Sequence, residues 1–97
     1  MAVSRLLPYA TISRFKFQVE PTGAKNGTNV IFTTPEFFLE ETLRLYFNGM
    51  RMMRGASCDF VVSESGGLGT GFDTVTVALD LAPESDDNLF VDYITAT

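Results

Sequence analysis

The chain has no histidine and no tryptophan, a single cysteine and only two lysines among its 97 residues. Without histidine it lacks the usual general base, a common zinc ligand and every His-containing catalytic triad. Without tryptophan it lacks the largest aromatic platform for stacking a sugar. Cys58 has no partner for an intramolecular disulfide and is expected to be a small buried hydrophobe. Neither Lys16 nor Lys25 sits in a nucleophile or phosphate-loop context, and Gly66–Gly71 (Gly-Gly-Leu-Gly-Thr-Gly) lacks the lysine of a phosphate-binding loop. Long apolar runs are missing too. Met1–Ala10 carries only Leu6–Leu7–Pro8, far shorter than a signal-peptide core or a membrane span, so the chain is expected to be soluble, unsecreted and without a membrane partner. Positive charge is scarce, the net charge being −5, and binding to a phosphate backbone needs Lys and Arg to displace counterions. Nucleic acid is therefore not an expected partner.

Apolar residues make up 45% of the chain and include nine phenylalanines, enough bulk for one packed core in a domain of this length without metals or disulfides. The charges are segregated along the sequence. All seven basic residues lie at or before Arg54 with four carboxylates, a balance of +3, whereas eight carboxylates and no cation follow it. Cross-strand pairing within one sheet would account for this, and so would a complementary contact between neighbouring copies or with a larger scaffold.

Arg14–Glu20 alternates strictly and predicts a half-buried strand with Phe15, Phe17 and Val19 on its buried face. Pro21–Thr28 is a turn region, and Thr28–Thr33 a second strand. Thr34–Phe47 supports two readings. Thr34, Pro35 and Glu36 form a good helix start, while Leu43, Leu45 and Phe47 alternate with polar neighbours up to Asn48–Gly49, a strong hairpin signal. A strand from about Glu41, after one helical turn, is favoured. Asp59–Ser63, Thr74–Leu81 and Leu89–Thr95 read as further strands, with a glycine-rich loop over Ser65–Phe72 and a turn over Ala82–Asn88. Both faces of the last strand are partly apolar, which suits a central strand or one covered by a partner. Short strands at this spacing predict an all-β fold: a small antiparallel β-sandwich, Ig-like or jelly-roll-like, of six to seven strands over residues 14–97, with an extended N-terminal arm over 1–13. A small barrel remains the alternative.

Glu84–Asn88 does not match the spacing of a calcium-binding loop, and no two carboxylates are spaced as a glycosidase pair. No catalytic residue, metal or cofactor is expected. Asn26-Gly-Thr28 is a glycosylation sequon that reads as a plain turn in an unsecreted chain. Met50, Met52 and Met53 suit either a core or an associating surface.

Leu43-Arg-Leu-Tyr-Phe-Asn-Gly-Met-Arg-Met, Asp59-Phe-Val-Val and Asp86-Asp-Asn-Leu-Phe-Val-Asp-Tyr-Ile together resemble a recurring module of tailed-bacteriophage virion proteins, over roughly Asn26 to Thr97. The resemblance implies a β-sandwich and a virion location. It departs from the pattern in a longer Gly66–Gly71 loop and in having the module as nearly the whole chain. The function expected is a non-enzymatic, multi-copy structural protein docking on capsid or tail subunits as a decoration, cement or fibre-attachment module. The alternative is a receptor- or carbohydrate-binding module of a tail tip or fibre, using the glycine-rich loop with Tyr46 or Tyr93. The residues expected to meet a partner are Arg5, Leu6, Leu7 and Tyr9 of the arm, which could add a strand to a sheet edge, and Gly67, Leu68 and Phe72 of the loop.

Overall fold

The computed structural model describes residues 14–96. Among these residues the fold is all-β, with seven strands in two antiparallel sheets packed face to face as a small sandwich. β1 (Phe15–Val19), β7 (Leu89–Ile94), β3 (Arg44–Phe47) and β4 (Met50–Arg51) form one sheet, in that order. β2 (Ile31–Phe38), β6 (Phe72–Val77) and β5 (Phe60–Ser63) form the other. The core lies between them: Leu45, Leu89, Val91 and Tyr93 from the first sheet meet Phe32, Phe38, Phe60, Val75 and Val77 from the second.

Alternation carries β7 as expected, with Leu89, Val91 and Tyr93 buried and Phe90, Asp92 and Ile94 on the opposite face, and the strand is central, between β1 and β3. The β3–β4 hairpin turns at Asn48–Gly49, both at positive φ (51° and 86°), the geometry whose twist matches the flanking strands.

In four places the structure overrides the local pattern. In β1, Phe15 faces Ile94 and Lys16 faces Tyr93, but the next register pair is Val19 with Val91, so one extra residue is inserted. The bulge centres on Gln18 (φ 53°), whose N–H donates to Asp92 Oδ1 at 2.8 Å. It divides the expected Phe15–Phe17–Val19 face: Val19 packs on the core, while Phe15 shares the outer face with Ile94 and Phe17 is 66% exposed.

The second override concerns Thr34–Phe38, which continues β2 instead of starting a helix. Pro35 is accommodated where the pairing with β6 becomes irregular, between Thr33 and Phe38. There the strand bends toward the other sheet: Phe38 bridges Thr95, and Leu39 N–H donates to the Ile94 carbonyl at 2.9 Å. The single turn expected before β3 is a 3-10 turn at Glu40–Thr42. Third, β6 ends at Val77, and Leu79–Leu81 forms another 3-10 turn, so Leu79 leaves the expected strand face and stands 79% exposed. Fourth, Cys58 is exposed, because the turn after Gly55 carries it outside the core.

Candidate interaction surface

Side chains directly opposite in an antiparallel pair project to the same face. The outer face of the four-stranded sheet is therefore built from Phe15 beside Ile94, Arg44 beside Asp92, and Tyr46 between Phe90 and Arg51. Two residues on from Phe15, Phe17 joins the same face, its ring centroid 6.1 Å from that of Phe15. Two hollows open on this face. One of about 230 Å³ lies among Phe15, Phe17, Arg44 and Ile94, and one of about 240 Å³ among Gln18, Tyr46, Gly49 and Phe90, with Asp92 lining both. Aromatic rings and arginines on one exposed sheet face are the composition enriched where proteins meet proteins.

At the β4 margin of the same sheet is a groove of about 290 Å³ bordered by Arg44, Arg51 and Arg54 over Met52, Met53 and Phe60. Arg54 is tied down: its guanidinium donates to the Glu40 carbonyl and lies 3.4 Å from the Glu40 carboxylate. Among the described residues neither Arg44 nor Arg51 has an ion pair. Of the three clustered methionines, Met52 packs against the core while Met50 and Met53 are exposed.

The residues expected from sequence to meet a partner are not brought together. Arg5, Leu6, Leu7 and Tyr9 lie outside the described residues. Gly67 and Leu68 are at the tip of the β5–β6 loop, where Leu68 is fully exposed, but Phe72 turns inward, packing on the core with its ring 6.2 Å from Phe38. The loop is braced by carboxylates. Glu64 accepts from the N–H groups of Gly69 and Gly71, and Asp73 accepts from the Ser65 N–H and hydroxyl at 2.9 and 2.6 Å. Partial burial pushes the Asp73 carboxyl up, but its hydrogen bonds, those from Ser65 foremost, outweigh this and hold it below its ordinary value. Tyr93 is corrected as a recognition residue: it is 2% exposed, and its hydroxyl donates to Glu36 Oε1 at 2.9 Å. Burial first, then that bond, pushes its phenol well above the ordinary value. Tyr46, by contrast, does stand on the outer face.

Two further carboxylates are tied into turns by hydrogen bonds. Asp59 caps the Met53 N–H at 2.8 Å, and Asp87 accepts from the Asn48 side-chain amide and the Glu84 N–H. Those two donors hold the exposed Asp87 carboxyl below its usual value. Among the described residues no three His, Cys, Asp or Glu side chains cluster as a metal site. The outer aromatic face was not named from sequence. Its one legible signal was the second apolar side of β7, Phe90 and Ile94.

Comparison of the chain with protein-family models, with curated proteins and with solved structures finds no match.

Proposed function

We propose that this protein is a non-enzymatic structural module, present in many copies, that docks on larger assemblies, and that its setting is a bacteriophage virion, on capsid or tail subunits. The observation that carries the docking reading is the outer face of the four-stranded sheet: Phe15, Phe17, Tyr46, Phe90 and Ile94 around Arg44 and Asp92. Apolar area of this kind next to arginines that have no ion pair among the described residues gains from being covered, both by removal from water and by charge complementarity. The virion setting is supported by the resemblance of the Leu43–Met52, Asp59–Val62 and Asp86–Ile94 segments to phage modules. The arm residues Arg5, Leu6, Leu7 and Tyr9 belong to the same reading, since β1 is an edge strand of the sheet among the described residues, and an edge strand can accept an added segment.

Sedimentation of the purified protein with phage particles that lack it tests the proposal. Saturable binding that is lost on replacing Tyr46 and Phe90 by Ser is the expected result, and absence of binding by the folded wild-type chain refutes it. A receptor-binding role is favoured by one feature, the fully exposed Leu68 on a carboxylate-braced loop. Host-cell adsorption that survives the Tyr46/Phe90 change and is lost on Leu68→Ser is the result that selects it.

A further inference from the structure

The docking reading leaves the partner of the arginine groove open, and the inference made here rests on that reading. Arg44, Arg51 and Arg54 gather at one margin of a chain whose net charge is −5; among the described residues Arg54 is ion-paired with Glu40, and Arg44 stands opposite Asp92 without an ion pair. Two of the three guanidiniums have no ion pair among the described residues. Below them Met52, Met53 and Phe60 supply an apolar floor, with Met53 66% exposed. Such a groove fits an acidic segment with an apolar anchor, because guanidinium forks match carboxylates in shape as well as charge. A nucleic acid is disfavoured, as the remaining surface would repel its phosphates.

The β6–β7 connection of the same chain has that chemistry. Leu79 projects from its 3-10 turn into solvent with Asp80 beside it, and Glu84 and Asp86 are exposed a few residues on. None of the three carboxylates has an ion pair among the described residues. The connection is also held in shape before any partner arrives. Asp87 N–H donates to the Glu84 carbonyl at 3.0 Å, Asn88 N–H to Asn48 Oδ1 at 2.7 Å, and Gly27 N–H to the Pro83 carbonyl at 2.9 Å. Less ordering then remains to be done on binding. No residue of this connection lines the groove, so donor and acceptor surfaces are separate on one molecule.

We propose that the arginine groove of one copy receives the acidic β6–β7 connection of a second copy, with Leu79 over the methionines and Asp80, Glu84 and Asp86 facing Arg44 and Arg51. Because the two surfaces differ, the contact is heterologous and repeats from copy to copy, giving a ring if the rotation closes and a chain if it does not. Such a contact also accounts for the segregation of charge along the sequence, beside the cross-strand placement of Arg44 opposite Asp92.

Sedimentation velocity of the full chain across protein concentration and salt tests the contact. The wild type is expected to form oligomers that dissociate as salt rises. The groove variant Arg44→Ser/Arg51→Ser and the loop variant Asp80→Lys/Asp86→Lys are each expected to associate at least about 100-fold more weakly. Each variant keeps one intact surface, and only one of the two possible pairings joins two intact surfaces. Their equimolar mixture should therefore stop at a dimer containing one of each, a result that also shows both are folded. A wild type that stays monomeric at every concentration overturns the proposal. So does assembly that persists in either variant, which would assign it to the outer aromatic face or to residues 1–13. Particle binding separates the two levels. A monomeric wild type that still binds particles refutes the second-copy partner and leaves the docking reading standing, whereas self-assembly without particle binding does the reverse.

Discussion

Replacing Phe17 by Ala and, separately, Phe38 by Ala tests the bulge that organises the outer face. Alternation put Phe17 on a buried face with Phe15 and Val19, yet the structure exposes 66% of Phe17, against 1% of the core residue Phe38. About a third of the Phe17 surface is then withdrawn from water, with the Phe15 ring as one neighbour, and its loss should cost roughly 0.5–1 kcal/mol. Phe38 sits between Phe72 and Tyr93, with ring centroids 6.2 and 5.8 Å away, where truncation leaves a cavity and should cost about 3–5 kcal/mol. For a domain of this size a gap of 2 kcal/mol or more corresponds to a difference in Tm on the order of 10 °C. Urea denaturation with a shared m-value, alongside thermal melts, measures both variants. Equal losses for Phe17→Ala and Phe38→Ala would refute the bulge and return Phe17 to the core.

Five further outcomes are expected. Val91→Ala and Val77→Ala, both in the closed core, should each destabilise by about 1–3 kcal/mol in the same denaturation assay, and a loss no larger than that of a typical surface change would refute their burial. Gly49→Ala keeps open space around its Cβ and should cost about 1 kcal/mol through its positive φ alone. Gly23→Ala would place a Cβ 2.5 Å from the buried Phe32 ring and should cost about 1–3 kcal/mol, so an ordering reversed in melts would contradict the packing there. Tyr93→Phe should cost about 1 kcal/mol at neutral pH by removing the bond to Glu36. With the Tyr93 phenol raised in the folded state, the unfolded chain ionises first and stability falls as pH rises above the ordinary phenol value; the Phe variant should lose that part of the alkaline fall. Asp73 works in the opposite direction. Its folded pKa is lowered, so its contribution is present above the ordinary aspartate value and is lost as pH falls through the folded one; Asp73→Asn should flatten that stretch of the acid stability curve.

The composition by itself supplied enough apolar bulk for one packed core, and local chemistry determined several elements closely. Asn48–Gly49 makes its hairpin because both residues accept positive φ, and β7 keeps its alternation because it is hydrogen-bonded on both sides. Where a strand lies at an edge or crosses between sheets, the pattern failed for a physical reason. A period of two assigns faces only while the register is unbroken, and one inserted residue at Gln18 reverses every assignment on the far side of it. Pro35 reads locally as a helix start, but β2 carries it within a bend that lets Phe38 and Leu39 reach β7. The same holds for the candidate surface. That β7 had two apolar faces was visible in its sequence; that Phe15, Tyr46 and Arg44 would join Phe90 and Ile94 on one of them depended on strand order and register. Arg44, Arg51 and Arg54 were likewise plain to see, and the local hairpin puts Arg44 and Arg51 on one face; only the tertiary structure sets Phe60 of the other sheet beneath them, because pairing partners distant in sequence are chosen by how the two sheets bury their shared core.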